Sequence, residues 1–168
     1  MKLDVERAQF VNADILHVVP EITAATIQTW VNRGLFSPAL DRSPGTGQRR
    51  LYSGLEVCGL AMMHALTSLG FPPKEASGVV QQIMTNEHDL LARGNPAGRA
   101  SARAIITANP EGQQMKLDNG EIVAAPRFHV TFLVKADMPK GLPSTCLYFA
   151  YGELMSEILD KLAVIARD

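Results

Sequence analysis

The 168-residue chain is 46% hydrophobic and 20% charged, the composition of a folded globular protein and not of a disordered one. Its formal net charge of −1 excludes a globally basic protein, so any nucleic-acid contact has to rest on locally concentrated charge. Two distant cysteines, Cys58 and Cys146, offer no clustered metal site and read as buried thiols.

The N-terminus, MKLDVERAQF, carries acids early and lacks an apolar core, so no signal peptide is expected. No apolar run approaches the roughly 18 residues of a membrane span, and a soluble, cytoplasmic protein is the expectation. The first helix is predicted over Asn12 to Val19, with Ile15, Leu16 and Val19 apolar, and Pro20-Glu21-Ile22 interrupts it. Thr23 then suits an N-cap, because its hydroxyl can accept from the free N–H groups of the following turn. A second helix to about Asn32 places Ile27, Trp30 and Val31 at helical spacing, and Gly34 suits the left-handed residue that ends it.

Ser37-Pro38 through Ser43-Pro44-Gly45-Thr46-Gly47 is rich in turn formers and leads into the extended-looking Gln48-Arg49-Arg50-Leu51-Tyr52. Ser53 and Glu56 stand at capping-box spacing before a third helix with a stripe of Leu55, Cys58, Met62, Leu66 and Leu69. Gly70 ends it. Pro72-Pro73-Lys74-Glu75 opens a fourth, with Ala76, Val79, Val80 and Ile83 on one face.

The pattern changes after Leu91. Ala92 to Arg99 holds residues that break both helical and strand periods, and reads as a linker. Asn119-Gly120 lies between short alternating runs, a hairpin signal. Phe128, Val130, Phe132 and Val134 alternate as one half-buried strand, and Thr145 to Phe149 reads as another. Glu153 to Arg167 closes the chain as a helix with Leu154, Ile158, Leu159, Leu162 and Ile165 apolar.

A helix, a turn, a second helix and a turn-rich hairpin bearing adjacent arginines form one physical design. The second helix can enter a DNA major groove while the hairpin lies along the backbone as a wing. Between Arg33 and Arg50, four arginines face one acid, Asp41, so the positive charge sits where this design needs it.

Thr26-Ile27-Gln28-Thr29-Trp30, Arg33-Gly34-Leu35, the wing ending Gln48-Arg49-Arg50-Leu51-Tyr52-Ser53, and Leu69-Gly70-Phe71 follow one another in a fixed order. In that order and spacing the stretch from Ala13 to Ile83 resembles the MerR family of winged-helix regulators. The resemblance implies sequence-specific binding to double-stranded DNA by Thr23, Ala25, Thr26, Gln28, Thr29, Arg33, Arg42, Arg49, Arg50 and Tyr52. The family often has arginine where Gln28 stands, its long dimerisation helix has no counterpart after Ile83, and the metal-sensing cysteines of some members are absent.

Within that set, Arg49 and Arg50 suit phosphate contact, and Gln28 suits either an adenine edge or plain helix surface. Thr26 and Thr29 suit phosphate or their own helix backbone. Trp30 is expected in the core. His17, His64, His88 and His129 are scattered with no partners at ligand spacing, Gly45 and Gly47 lack a phosphate-loop context, and no metal, cofactor or catalytic constellation is expected.

The expectation is an α+β chain with three parts. Residues 1–91 form the winged helix-turn-helix, residues 92–101 the linker, and residues 102–168 a small antiparallel sheet with a C-terminal helix. That last part is expected to serve a homodimer, a small-molecule or protein effector, or another protein. Transcriptional regulation is the function expected. An excisionase-like architectural factor of a mobile element and a protein-interaction adaptor are the alternatives.

Overall fold

The computed structural model describes residues 3–38, 50–93, 96–108, 114–116, 122–124, 128–133 and 146–166. The elements run α1 (Asn12–Val18), α2 (Ala24–Asn32), α3 (Gly54–Ser68), α4 (Pro73–Asn86), α5 (His88–Arg93) and α6 (Pro96–Ala100). Then come β1 (Arg103–Ala108), β2 (Gln114–Lys116), β3 (Ile122–Ala124), β4 (Phe128–Leu133), β5 (Cys146–Phe149) and α7 (Tyr151–Ile165). The architecture is α+β: helices first, then a small antiparallel sheet and a closing helix.

Local chemistry sets the helix limits. The Thr23 hydroxyl accepts from the Thr26 N–H at 3.1 Å and opens α2. Ser53 and Glu56 cap α3 reciprocally: Ser53 Oγ accepts from Glu56 N–H at 3.2 Å, and the Glu56 carboxylate accepts from Ser53 N–H at 2.6 Å. Both α2 and α3 end on a glycine with positive φ, Gly34 at 66° and Gly70 at 92°. Each closes two carbonyls: Gly34 and Leu35 donate to Val31 and Trp30, Gly70 and Phe71 to Thr67 and Leu66. These are Schellman ends, which a side chain at the turn residue would strain.

Helix α3 is the centre of the core. Its expected stripe is too narrow, because Val57, Leu60, Ala61 and Met63 are buried along with Leu55, Cys58, Met62 and Leu66. It packs against α4 on one side and α7 on another, so nearly its whole circumference is covered. Leu69 departs from the expected stripe. It follows the last helical residue, where the chain turns at Gly70, and is 61% exposed.

The main sheet has the order β4-β1-β5, both pairings antiparallel, with Ile106 opposite Val130 and opposite Leu147. Ala104, Ile105 and Ile106 of the middle strand are all buried, so this strand reads as a continuous apolar run without alternation. β2 and β3 pair antiparallel, with Met115 opposite Val123, and flank the expected Asn119-Gly120 turn, which itself lies outside the described residues.

The two halves share one apolar core. Helix α7 packs on α3 and α1, so Met155, Ile158, Leu159 and Leu162 join Ile15, Ile27, Leu60 and Leu66 in a single cluster. The first and third helices thus cover this apolar face of α7. Val164, on the outer side, is 61% exposed. The stretch expected to break both periods also carries structure: α5 runs through Arg93, and Pro96 opens α6 at a position where proline lacks only an N–H the helix does not use. Arg99 ties the connector back by donating to the Leu91 carbonyl at 3.4 Å.

Candidate nucleic-acid interface

The candidate surface is built on α2. Ile27 and Trp30 bury one side of that helix. Ala25, Gln28, Thr29 and Asn32 then fall at i, i+3, i+4 and i+7 on the opposite side, and all four are exposed. The exposed Thr23 and Arg33 flank this stripe at the two ends of the helix. No acid lies in the first turn of α2, so the face is neutral to positive from Thr23 to Arg33.

Three features hold the helix in place. The turn after α1 is closed by Ile22 N–H donating to the Val19 carbonyl at 3.1 Å, and Val18, Val19 and Ile22 are buried. The segment after α2 is tied to α4, where Ser77 Oγ donates to the Leu35 carbonyl at 2.5 Å. Phe36 packs on Gly59 of α3, where a Cβ would come within 3.3 Å of the ring. The exposed face of α2 is therefore mounted on a packed, hydrogen-bonded base.

The polar side chains of α2 are organised along the helix. Thr23 and Thr26 hydroxyls lie 2.8 Å apart, so the pair is engaged in the N-cap. Gln28 Nε2 donates to Asn32 Oδ1 at 2.6 Å. Asn32 is the residue of this face that sequence reading missed. Its signal was available, since it stands four residues after Gln28 on the side away from Ile27 and Trp30.

The residues expected in a wing divide. Arg42 and Arg49 lie outside the described residues. Arg50 is half-buried and lines a small cleft with Val11, Asn12 and Ala13, which puts it beside the start of α1. Tyr52, expected among the DNA contacts, is fully buried. Its backbone forms an antiparallel bridge with Phe10, and Tyr52 N–H donates to the Phe10 carbonyl at 2.8 Å. A ring held in the core by that bridge packs the fold and does not reach the surface.

A second polar group lies at the junction of the two halves, away from α2. The buried Tyr151 hydroxyl bonds Glu87. Burial, then the Glu87 charge and that hydrogen bond, hold its proton more tightly than usual, with Arg103 opposing. Arg103 pairs with Glu153. Burial pushes the Cys58 thiol up to about 12, against the pull of Arg99. His17 and His88 are exposed and His64 is half-buried. Among the described residues, no three of His, Cys, Asp and Glu gather as metal ligands.

Residues 19–83 match the family model described as MerR HTH family regulatory protein. The N-terminal half carries a MerR-type helix-turn-helix. The matched stretch of this MerR-type unit takes in the turn after α1, all of α2, residues 33–53, α3, and α4 as far as Ile83. The sheet and α7 lie outside it. No curated protein matches the chain. No helix among the described residues is long and apolar enough to cross a membrane.

Proposed function

We propose that the protein is a transcription regulator that binds duplex DNA, with α2 in the major groove and the wing segment on the backbone. One observation carries this reading: the exposed, acid-free stripe of Ala25, Gln28, Thr29 and Asn32 falls inside the stretch that matches the MerR-type model. Thr23, Thr26 and Arg33 sit at the edges of that stripe, where phosphates flank an inserted helix. Arg42, Arg49 and Arg50 are assigned to phosphates along the wing. Tyr52 leaves the contact set, because its ring is in the core.

A nine-residue helix reads few base pairs, so the working form is assigned as a homodimer on two half-sites. The apolar face of α7 is not assigned to that dimer, since the chain covers it itself. The sheet half, residues 102–168, is assigned to dimerisation and to a small-molecule or protein effector, and the protein to the cytoplasm.

Genome-wide mapping of bound sites tests the reading. Binding at promoters supports a regulator. Binding confined to recombination attachment sites would move the function to an architectural factor, and no selective binding would contradict both.

A further inference from the structure

We infer that Asn32 positions Gln28, so that the two side chains read one adenine·thymine pair as a unit. The inference rests on the DNA-binding reading above and names a specificity residue within it.

The geometry is local and complete. Both side chains are exposed, stand one turn apart on α2, and are joined by the 2.6 Å bond from Gln28 Nε2 to Asn32 Oδ1. A carboxamide has two N–H groups and one carbonyl oxygen. With one N–H given to Asn32, Gln28 keeps the other N–H and Oε1. Those two groups match the adenine edge in the major groove, where N7 accepts and the N6 amine donates.

A free glutamine on a helix surface loses rotamer freedom when it docks. One already held by a neighbour has lost part of that freedom before binding, so more of the contact appears as discrimination. The neighbours on the stripe fit the role. Ala25 and Thr29 are short, so a base edge can approach the Gln28 amide without obstruction. Asn32 cannot be replaced in this by an apolar residue, because its oxygen is the acceptor that orients the amide.

The bond could also serve only to stabilise the helix, as many pairs at this spacing do. The two roles differ in what they move. A helix-stabilising pair changes melting temperature and affects all duplexes alike, whereas a positioning residue changes preference at one base pair.

The test uses the full-length protein and a duplex selected by the wild type from a randomised pool. Affinities are measured for that duplex and for versions with each base pair replaced, alongside melting curves. Gln28→Ala is expected to lose about tenfold in discrimination at one A·T position per half-site. Asn32→Ala is expected to lose discrimination at the same position, and the double variant to lose no more than Gln28→Ala. Asn32→Asp keeps an acceptor oxygen, so it is expected to retain the preference while weakening every duplex through its charge. Wild-type preference retained in Asn32→Ala, equal loss in Asn32→Asp, or a Gln28-sensitive position that is not A·T would overturn the inference. A wild type that selects no sequence would instead overturn the DNA-binding reading, and this inference with it.

Discussion

Gly152, in the first turn of α7, donates its backbone N–H to the Ala102 carbonyl at 3.1 Å, and a Cβ on it would meet Ala102 and the Arg99 carbonyl oxygen. The close approach joins α7 to the connector helix α6 backbone to backbone. Backbone atoms cannot step aside as a side-chain tip can. Gly152→Ala is therefore expected to destabilise the fold by about 3 kcal/mol, at the upper end of ordinary overpacking costs. Gly78 in α4 supplies the control, since a Cβ there meets nothing within 4 Å. Gly78→Ala is expected to stabilise by about 0.5–1 kcal/mol through helix propensity alone. Denaturant unfolding of the two variants checks the opposite signs.

The shared core predicts shared unfolding. Leu162 of α7 is fully buried in the cluster that also holds Ile27 and Trp30 of α2. Leu162→Ala is expected to cost about 2–5 kcal/mol, as buried leucine truncations do. Trp30 is the chain's single tryptophan, so its fluorescence reports on the helix-turn-helix. The Trp30 midpoint and the far-UV circular dichroism midpoint should fall together in this variant. A Trp30 transition that does not move would show that the halves fold independently.

Alkaline pH has a defined sign. Cys58 ordinarily ionises near 9.0 and Tyr151 near 10.0, and the fold raises both, chiefly by burial. Each group is neutral when protonated, so the folded chain keeps protons that the unfolded chain releases. The stability they contribute is complete below pH 9.0 and is lost as pH rises toward the folded value of about 12 for Cys58. Melting temperature is expected to decline above pH 9.0 and to decline less steeply in Cys58→Ala, from a lower starting point because of the small cavity. An unchanged slope in that variant would contradict the assignment.

Much of this was legible in the sequence because it is local chemistry. Thr23, Ser53 with Glu56, Gly34 and Gly70 mark helix ends through hydrogen bonds within a few residues, and the structure places them as helix caps and ends. The alternation from Phe128 likewise announces β4. What escaped depends on distant partners. The middle strand β1 shows no alternation because it is covered on both faces. Tyr52 looked available because nothing near it in sequence reveals its bridge to Phe10. The fate of the α7 face was set by α1 and α3, more than 80 residues earlier in the chain. In the candidate interface, the stripe on α2 was legible from spacing, but the bond between Gln28 and Asn32 needed coordinates.

Positioning and reading should separate in the arginines. Arg50 and Arg49 are assigned to phosphates, which carry no sequence information. Arg50→Ala and Arg49→Ala are each expected to weaken selected and random duplexes by a similar factor and to flatten the salt slope by about one unit. Loss confined to the selected duplex would instead place that arginine on a base edge. Affinities measured for both duplexes over a salt series give the answer.

Binding of duplex DNA through the α2 face, as proposed, meets its sharpest test in a salt titration of the full chain. Dissociation constants are measured for a selected duplex and a random one from low to physiological salt. Log affinity is expected to fall linearly and steeply with log salt for both, with the selected duplex tighter throughout. Gln28→Ala is expected to close much of the gap between them without changing the slope. A flat salt dependence, with no difference between the two duplexes, would rule out DNA binding through α2 and favour a protein-binding role for this fold.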